Sequence, residues 1–85
     1  MMKEWIVTFR SVTFAQRSQR ALEENGIKCA LQRTPKAISR RGCGYCLRLR
    51  ERDAIRAVGI LQAEQLHYEK VYALLEDGKM EERLL

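Results

Sequence analysis

Residues 4 to 10 alternate Trp5, Val7 and Phe9 with Ile6, Thr8 and Arg10. A period of two in β-branched and aromatic side chains predicts a strand buried on at least one face. Ser11 and Thr13 are suitable N-caps. The stretch to Asn25 is free of Gly and Pro and offers Ala15, Ala21 and Leu22 for packing, so a helix is predicted to stop at Gly26. Alternation returns at residues 27 to 33, with Ile27, Cys29 and Leu31 against Lys28, Ala30 and Gln32, as a second strand closed by Pro35.

A connection of about ten residues follows, through Lys36 to Gly42, longer than is usual between elements. Residues 44 to 50 place Tyr45, Leu47 and Leu49 on one face and Cys46, Arg48 and Arg50 on the other, a third strand with one wet, basic side. From Glu51 the spacing becomes helical, with Ala54, Ile55, Val58 and Leu61 on one face and Glu51 and Asp53 in the first turn, where the helix dipole favours them. This second helix is predicted to run to about Gln65, and residues 67 to 75, with Val71 between Tyr68 and Tyr72, read as a fourth strand. The segment 76–85 reads as a turn followed by a frayed, charged C-terminal tail.

The order strand, helix, strand, strand, helix, strand predicts an α+β fold made of two split β-α-β units. The expectation is a ferredoxin-like sandwich: a four-stranded antiparallel sheet with both helices on one face. At 85 residues the chain is expected to form a single domain, 1–85. Apolar runs such as Ala57 to Leu61 fall far short of the roughly 20 residues a membrane span needs. The opening residues carry Lys3 and Glu4 and lack a secretion-signal pattern, so a cytoplasmic location is expected.

Charge changes the picture. Residues 1 to 50 hold eleven Lys and Arg against three Asp and Glu, whereas residues 51 to 85 hold five against eight. The densest block, Arg33, Lys36, Arg40, Arg41, Arg48 and Arg50, contains no acidic residue and surrounds Cys43 and Cys46. It reads either as a solvated surface or as an anion site, built from Arg40, Arg41, Gly42, Gly44 and Arg48, for a phosphate backbone or an ionised sulfur.

Three cysteines, Cys29, Cys43 and Cys46, are an odd number that argues against a disulfide framework and for reduced thiols. Cys43-Gly44-Tyr45-Cys46 is a CxxC, but a strand pattern follows it where a dithiol oxidoreductase has a helix. Over three residues a strand advances about 10 Å and turns the two side chains to opposite faces, too far for a disulfide unless Cys43 lies in a turn. With only Cys29 and His67 besides, the motif lacks the paired spacing of a zinc site, and neither a metal nor a cofactor is expected. Cys29 reads as a small buried hydrophobe and His67 as an ordinary side chain.

Arg41 to Arg48 can be laid against the RNA-recognition pattern of a third strand. Cys43 and Arg48 occupy two of its three aromatic positions, so phosphate attraction survives but base stacking does not. An alternative function is therefore a basic nucleic-acid-binding module using Arg10, Arg48 and Arg50 on the open sheet face. A third is an interaction domain pairing through its sheet.

The ordered set Thr34-Pro35-Lys36-Ala37-Ile38-Ser39, then Arg40-Arg41-Gly42, then Cys43-Gly44 and a strand, resembles the small bacterial family DUF3343 of selenium/sulfur carrier-like proteins. The likeness covers about residues 4 to 75 and takes in the opening strand and the Gly26-Ile27 entry to strand two. The resemblance implies that Cys43 is the carrier thiol, holding sulfur or selenium as a persulfide-type adduct; Cys46, a weaker candidate second thiol on the CxxC spacing alone, falls where the family pattern accepts small or apolar residues. It also implies donor and acceptor proteins as partners, a non-enzymatic role and no membrane. A carrier thiol must be accessible and partly ionised. Cys43 follows a long connection, stands between Gly42 and Gly44, and has Arg40 and Arg41 close in sequence.

Overall fold

The computed structural model describes residues 3–36, 38 and 44–83. Strand β1 (Glu4–Phe9) leads into helix α1 (Val12–Glu24), then strands β2 (Cys29–Arg33) and β3 (Tyr45–Arg50), helix α2 (Glu51–Ala63), and strands β4 (Val71–Leu74) and β5 (Met80–Arg83). The strands form one sheet in the order β2-β3-β1-β4-β5, and every neighbouring pair is antiparallel. The fold is α+β with two helices, as the sequence pattern predicts.

The sheet has five strands where four were expected. The extra strand comes from the segment read as a frayed tail: Leu75 N–H donates to Lys79 O (2.8 Å), Gly78 takes a φ of +86°, and the chain turns back to pair Leu74 with Met80. Strand β4 is correspondingly shorter than the 67–75 predicted.

Local chemistry explains where α1 begins and ends. Ser11 caps it, its side-chain oxygen accepting from Thr13 N–H (3.1 Å) and Phe14 N–H (3.3 Å). At its end Gly26 N–H donates to Glu23 O and Ile27 N–H to Leu22 O, with Gly26 at φ +78°, the paired bonds of a Schellman stop. Helix α2 stops in the same way, Gln65 N–H reaching Gln62 O and Leu66 N–H reaching Leu61 O, but a glutamine occupies the left-handed position (φ 56°). That is why α2 ends at Ala63, short of the Gln65 boundary expected from a sequence with no glycine there to mark it.

Trp5, Val7 and Phe9 of β1, Leu47 and Leu49 of β3, and Val71 and Ala73 of β4 form one buried cluster with Ala15 and Leu22 of α1 and Ala54, Ala57, Val58 and Leu61 of α2. Both helices therefore lie on one face of the sheet. Ile55, expected on the packed face of α2, is 71% exposed and Ala57 takes its place in the core. At about 100° per residue, Ala57 completes the narrow stripe of Ala54, Val58 and Leu61, whereas Ile55 lies on its far flank. Trp5 Nε1 donates to Glu51 Oε2 (3.2 Å) and Glu51 N–H to Lys3 O (3.0 Å), which fastens the start of α2 to the start of β1.

Candidate functional site at the base of the β2–β3 hairpin

Strands β2 and β3 pair from Cys29 opposite Leu49 to Arg33 opposite Tyr45, and the ladder is extended by Thr34 N–H donating to Gly44 O (3.1 Å). The segment containing the family-like cysteine thus has its two ends joined. Gly44 adopts a φ of +133°, and a Cβ placed there would meet Phe9 O and Thr34 Oγ1, each at 3.4 Å. The φ favours glycine, since L side chains rarely adopt this conformation, while the 3.4 Å contacts are ordinary van der Waals distances. Cys43, Arg40, Arg41 and Gly42 lie outside the described residues.

Cys46 is fully buried, although it lies on the side of the sheet away from the helices. By strand alternation it shares that side with Ile6, Thr8, Arg48 and Arg50, and its cross-strand partners are Thr8 on β1 and Gln32 on β2. The expectation that this side of the third strand is wet and basic is corrected here: Cys46 is buried on it, as are Ile6 and Thr8 of the neighbouring β1. The Cys46 Sγ lies 3.8 Å from Arg33 O. Burial raises the pKa of this thiol, and the adjoining Gln32 and Thr34 side chains and the Arg48 charge oppose that rise in part. Thr34 Oγ1, itself buried, stands beside the thiol and has no hydrogen-bond partner among the described residues.

Arg48 does not present a free charge. Its Nε donates to Glu4 Oε1 at 2.8 Å across the sheet. Arg10 likewise pairs with Glu69 at 3.0 Å. Two of the three arginines expected to form a nucleic-acid surface are therefore tied into ion pairs, while Arg50 has no carboxylate partner among the described residues.

Cys29 is half-buried against the core and sits 4.0 Å from Gln19 O. Burial, with the charge of Glu23 adding to it, pushes its thiol up to about 11. His67 packs edge-on to Phe14, with ring centroids 6.3 Å apart. Among the described residues no group of three or more His, Cys, Asp or Glu is placed to hold a metal ion, and no helix is long and apolar enough to cross a membrane. The groups that sequence reasoning missed, Glu4 as partner of Arg48 and Gln32 and Thr34 as neighbours of Cys46, are set by strand register, which no local motif encodes.

An antiparallel sheet backed by two helices, with a cysteine-bearing connection whose ends, Thr34 and Gly44, are bonded at the base of the β2–β3 hairpin, defines a small α+β protein in which the described cysteines, Cys29 and Cys46, are free thiols. The chain belongs to the family described as "Putative Se/S carrier protein-like", whose model matches residues 4–73. That match takes in β1 through most of β4 together with Cys43, and stops short of β5. No curated protein and no solved structure matches the chain.

Proposed function

We propose that this chain is a non-enzymatic sulfur or selenium carrier in which Cys43 transiently holds the chalcogen as a persulfide-type adduct. The observation that carries the reading is membership of the carrier-like family over residues 4–73, a span that includes Cys43. The other two thiols support it by contrast. Cys46 is fully buried and Cys29 is pushed up to about 11, so neither is suited to act as an accessible thiolate near neutral pH.

In the loading step the Cys43 thiolate attacks the terminal sulfur of a donor persulfide. A new S–S bond forms on Cys43, the donor's S–S bond breaks, and the donor leaves as its thiolate, so that the terminal S–H proton travels with the transferred sulfur. Arg40 and Arg41, two and three residues before Cys43, favour the anionic forms of both thiol and persulfide. Donor and acceptor proteins are the partners, and the chemistry suits a reducing, cytoplasmic compartment.

Incubation of the reduced protein with a sulfane-sulfur donor enzyme, followed by intact-mass measurement, tests the reading. Wild type, Cys29→Ser and Cys46→Ser are expected to gain a sulfur atom and Cys43→Ser is not. Equal loading of wild type and Cys43→Ser, or no loading of either, overturns it. A Cys43 thiol pKa near the ordinary 8.5 or above, read from alkylation rate against pH, removes the role given to the arginines.

A further inference from the structure

Strand β2 is the outermost strand on its side of the sheet and pairs with β3 alone among the described residues. The bond from Thr34 N–H to Gly44 O fixes the phase of the ladder. In an antiparallel pair the bonded positions alternate, so Ala30 and Gln32 turn their backbone groups toward β3 while Cys29, Leu31 and Arg33 turn theirs outward. The outward groups are not equally open. Gln19 Nε2 donates to Cys29 O (3.3 Å), closing the first part of the edge, and Arg33 O is approached by Cys46 Sγ (3.8 Å). Among the described residues, the main-chain N–H and C=O of Leu31 and the N–H of Arg33, in the half of the strand that leads to Thr34, have no hydrogen-bond partner.

The charges along this edge are of one sign. Lys28 at its start, Arg33 at its end and Lys36 beyond are exposed, and none has a carboxylate in ion-pair contact among the described residues. Arg33 lies over the Tyr45 ring at 6.0 Å. Among the described residues, the one acidic charge felt at this edge is that of Glu23 of α1, which acts on the Cys29 thiol at the start of the strand, away from Leu31 and Arg33. The opposite edge, β5, differs: it carries Glu81 and Glu82, with Arg83 paired to Glu81 and Lys70 to Glu82, and only Lys79 beside it lacks a carboxylate in ion-pair contact among the described residues. Two copies joined through β2 would bring Lys28, Arg33 and Lys36 of both into one seam, and like charges across a strand pair are unfavourable.

We propose that the outer edge of β2 docks an extended acidic segment of a partner protein, which adds to the sheet as a further strand beyond β2. Backbone hydrogen bonds from Leu31 and Arg33 supply the pairing, and Lys28, Arg33 and Lys36 select acidic side chains. The inference goes beyond the carrier reading and stands without it. Where both hold, the docked segment belongs to a donor or acceptor and runs beside the strand that enters the Cys43 connection.

The test uses 15N-labelled protein and amide hydrogen exchange. A peptide of about eight residues alternating Glu and Val is compared with its Lys and Val counterpart, in the length range that strand addition uses. The acidic peptide is expected to slow exchange at Leu31 and Arg33 by at least about tenfold while leaving Glu81 and Glu82 unchanged. The Lys28→Glu, Arg33→Glu double variant, altered only at exposed side chains, is expected to lose this protection and to keep that of Ala30 and Gln32, which reports an intact sheet. Four results overturn the proposal: no protection at about 1 mM peptide, where even a millimolar Kd would half-fill the edge; equal protection by both peptides; binding that leaves the Leu31 and Arg33 amides exchanging freely; or protection of those amides in the free protein that grows with its concentration, which assigns the edge to a second copy. Cys43→Ser is expected to bind the peptide normally, so failure of the carrier reading and failure of this one are separate results.

Discussion

Alkylation of the three thiols is the most direct check on the division of labour argued above. Burial, with Glu23 adding to it, pushes the Cys29 thiol from 9.0 up to about 11. At pH 8 such a group holds roughly a hundredth of the thiolate of an ordinary cysteine, since each pKa unit is a factor of ten. The thiolate is the species that reacts, so iodoacetamide should label Cys29 in the native protein roughly one hundred times more slowly than in denaturant. Cys46 is also pushed up and has no exposed surface, so its labelling waits on opening of the sheet at Gln32 and Thr8 and should not rise with reagent concentration once opening limits it. Quenched samples, digested and read by mass spectrometry at several pH values, give each rate separately. For Cys29 the rate should still climb tenfold per pH unit beyond about 9, where an ordinary thiol levels off. Native labelling of Cys29 or Cys46 within about tenfold of the denatured rate would refute the assignment of these two thiols as withdrawn from chemistry.

The same raised thiol has a stability consequence of definite sign. Above about pH 9 the unfolded chain releases the Cys29 proton while the folded chain keeps it until about 11, so stability should fall across that window, and wild type should lose more there than Cys29→Ala in denaturant titrations. Ser11→Ala removes the acceptor for Thr13 and Phe14 N–H and should lower unfolding free energy by about 1 kcal/mol. Gln65→Gly relieves a left-handed residue at the end of α2 and should raise it by about 0.5–1 kcal/mol, again by denaturant titration. Gly44→Ala forces a side chain into φ +133° and should cost about 1–3 kcal/mol, whereas Cys43→Ser at the preceding position should leave stability within about 0.5 kcal/mol of wild type.

Much of the fold was legible because its signals are local. Alternation in Trp5 to Phe9 and in Tyr45 to Arg50, a serine at residue 11 and a glycine at residue 26 each act over one turn or one strand. The misses share a different origin. Met80–Arg83 carries three charged residues in four and no apolar alternation, and it becomes a strand because a turn at Gly78 returns it to β4. Ile55 and Ala57 lie about 160° apart on α2, on opposite flanks of the Ala54, Val58 and Leu61 stripe, and the buried face is centred on the Ala57 side. Burial of Cys46 and pairing of Arg48 with Glu4 depend on which residues face each other across strands distant in sequence. Of the candidate site, Cys43 and its arginines came from the linear pattern, and the surroundings of Cys46 came only from the register.

Cys43 and Gly44, adjacent in sequence, therefore answer to different constraints. Gly44 is favoured by the backbone: its φ of +133°, held in a chain whose Gly44 carbonyl accepts from Thr34 N–H, acts whether or not any sulfur is carried. A family pattern of cysteine followed by glycine mixes a chemical requirement with a folding one. Stability and loading separate the two. A Gly44→Ala protein that is destabilised yet still takes up sulfur at Cys43, beside a Cys43→Ser protein that is stable and does not, assigns the glycine to the sheet and the cysteine to the chemistry. If Gly44→Ala instead keeps its stability and loses loading, the glycine serves the approach of a partner, and the clamp between Thr34 and Gly44 is not what holds the hairpin.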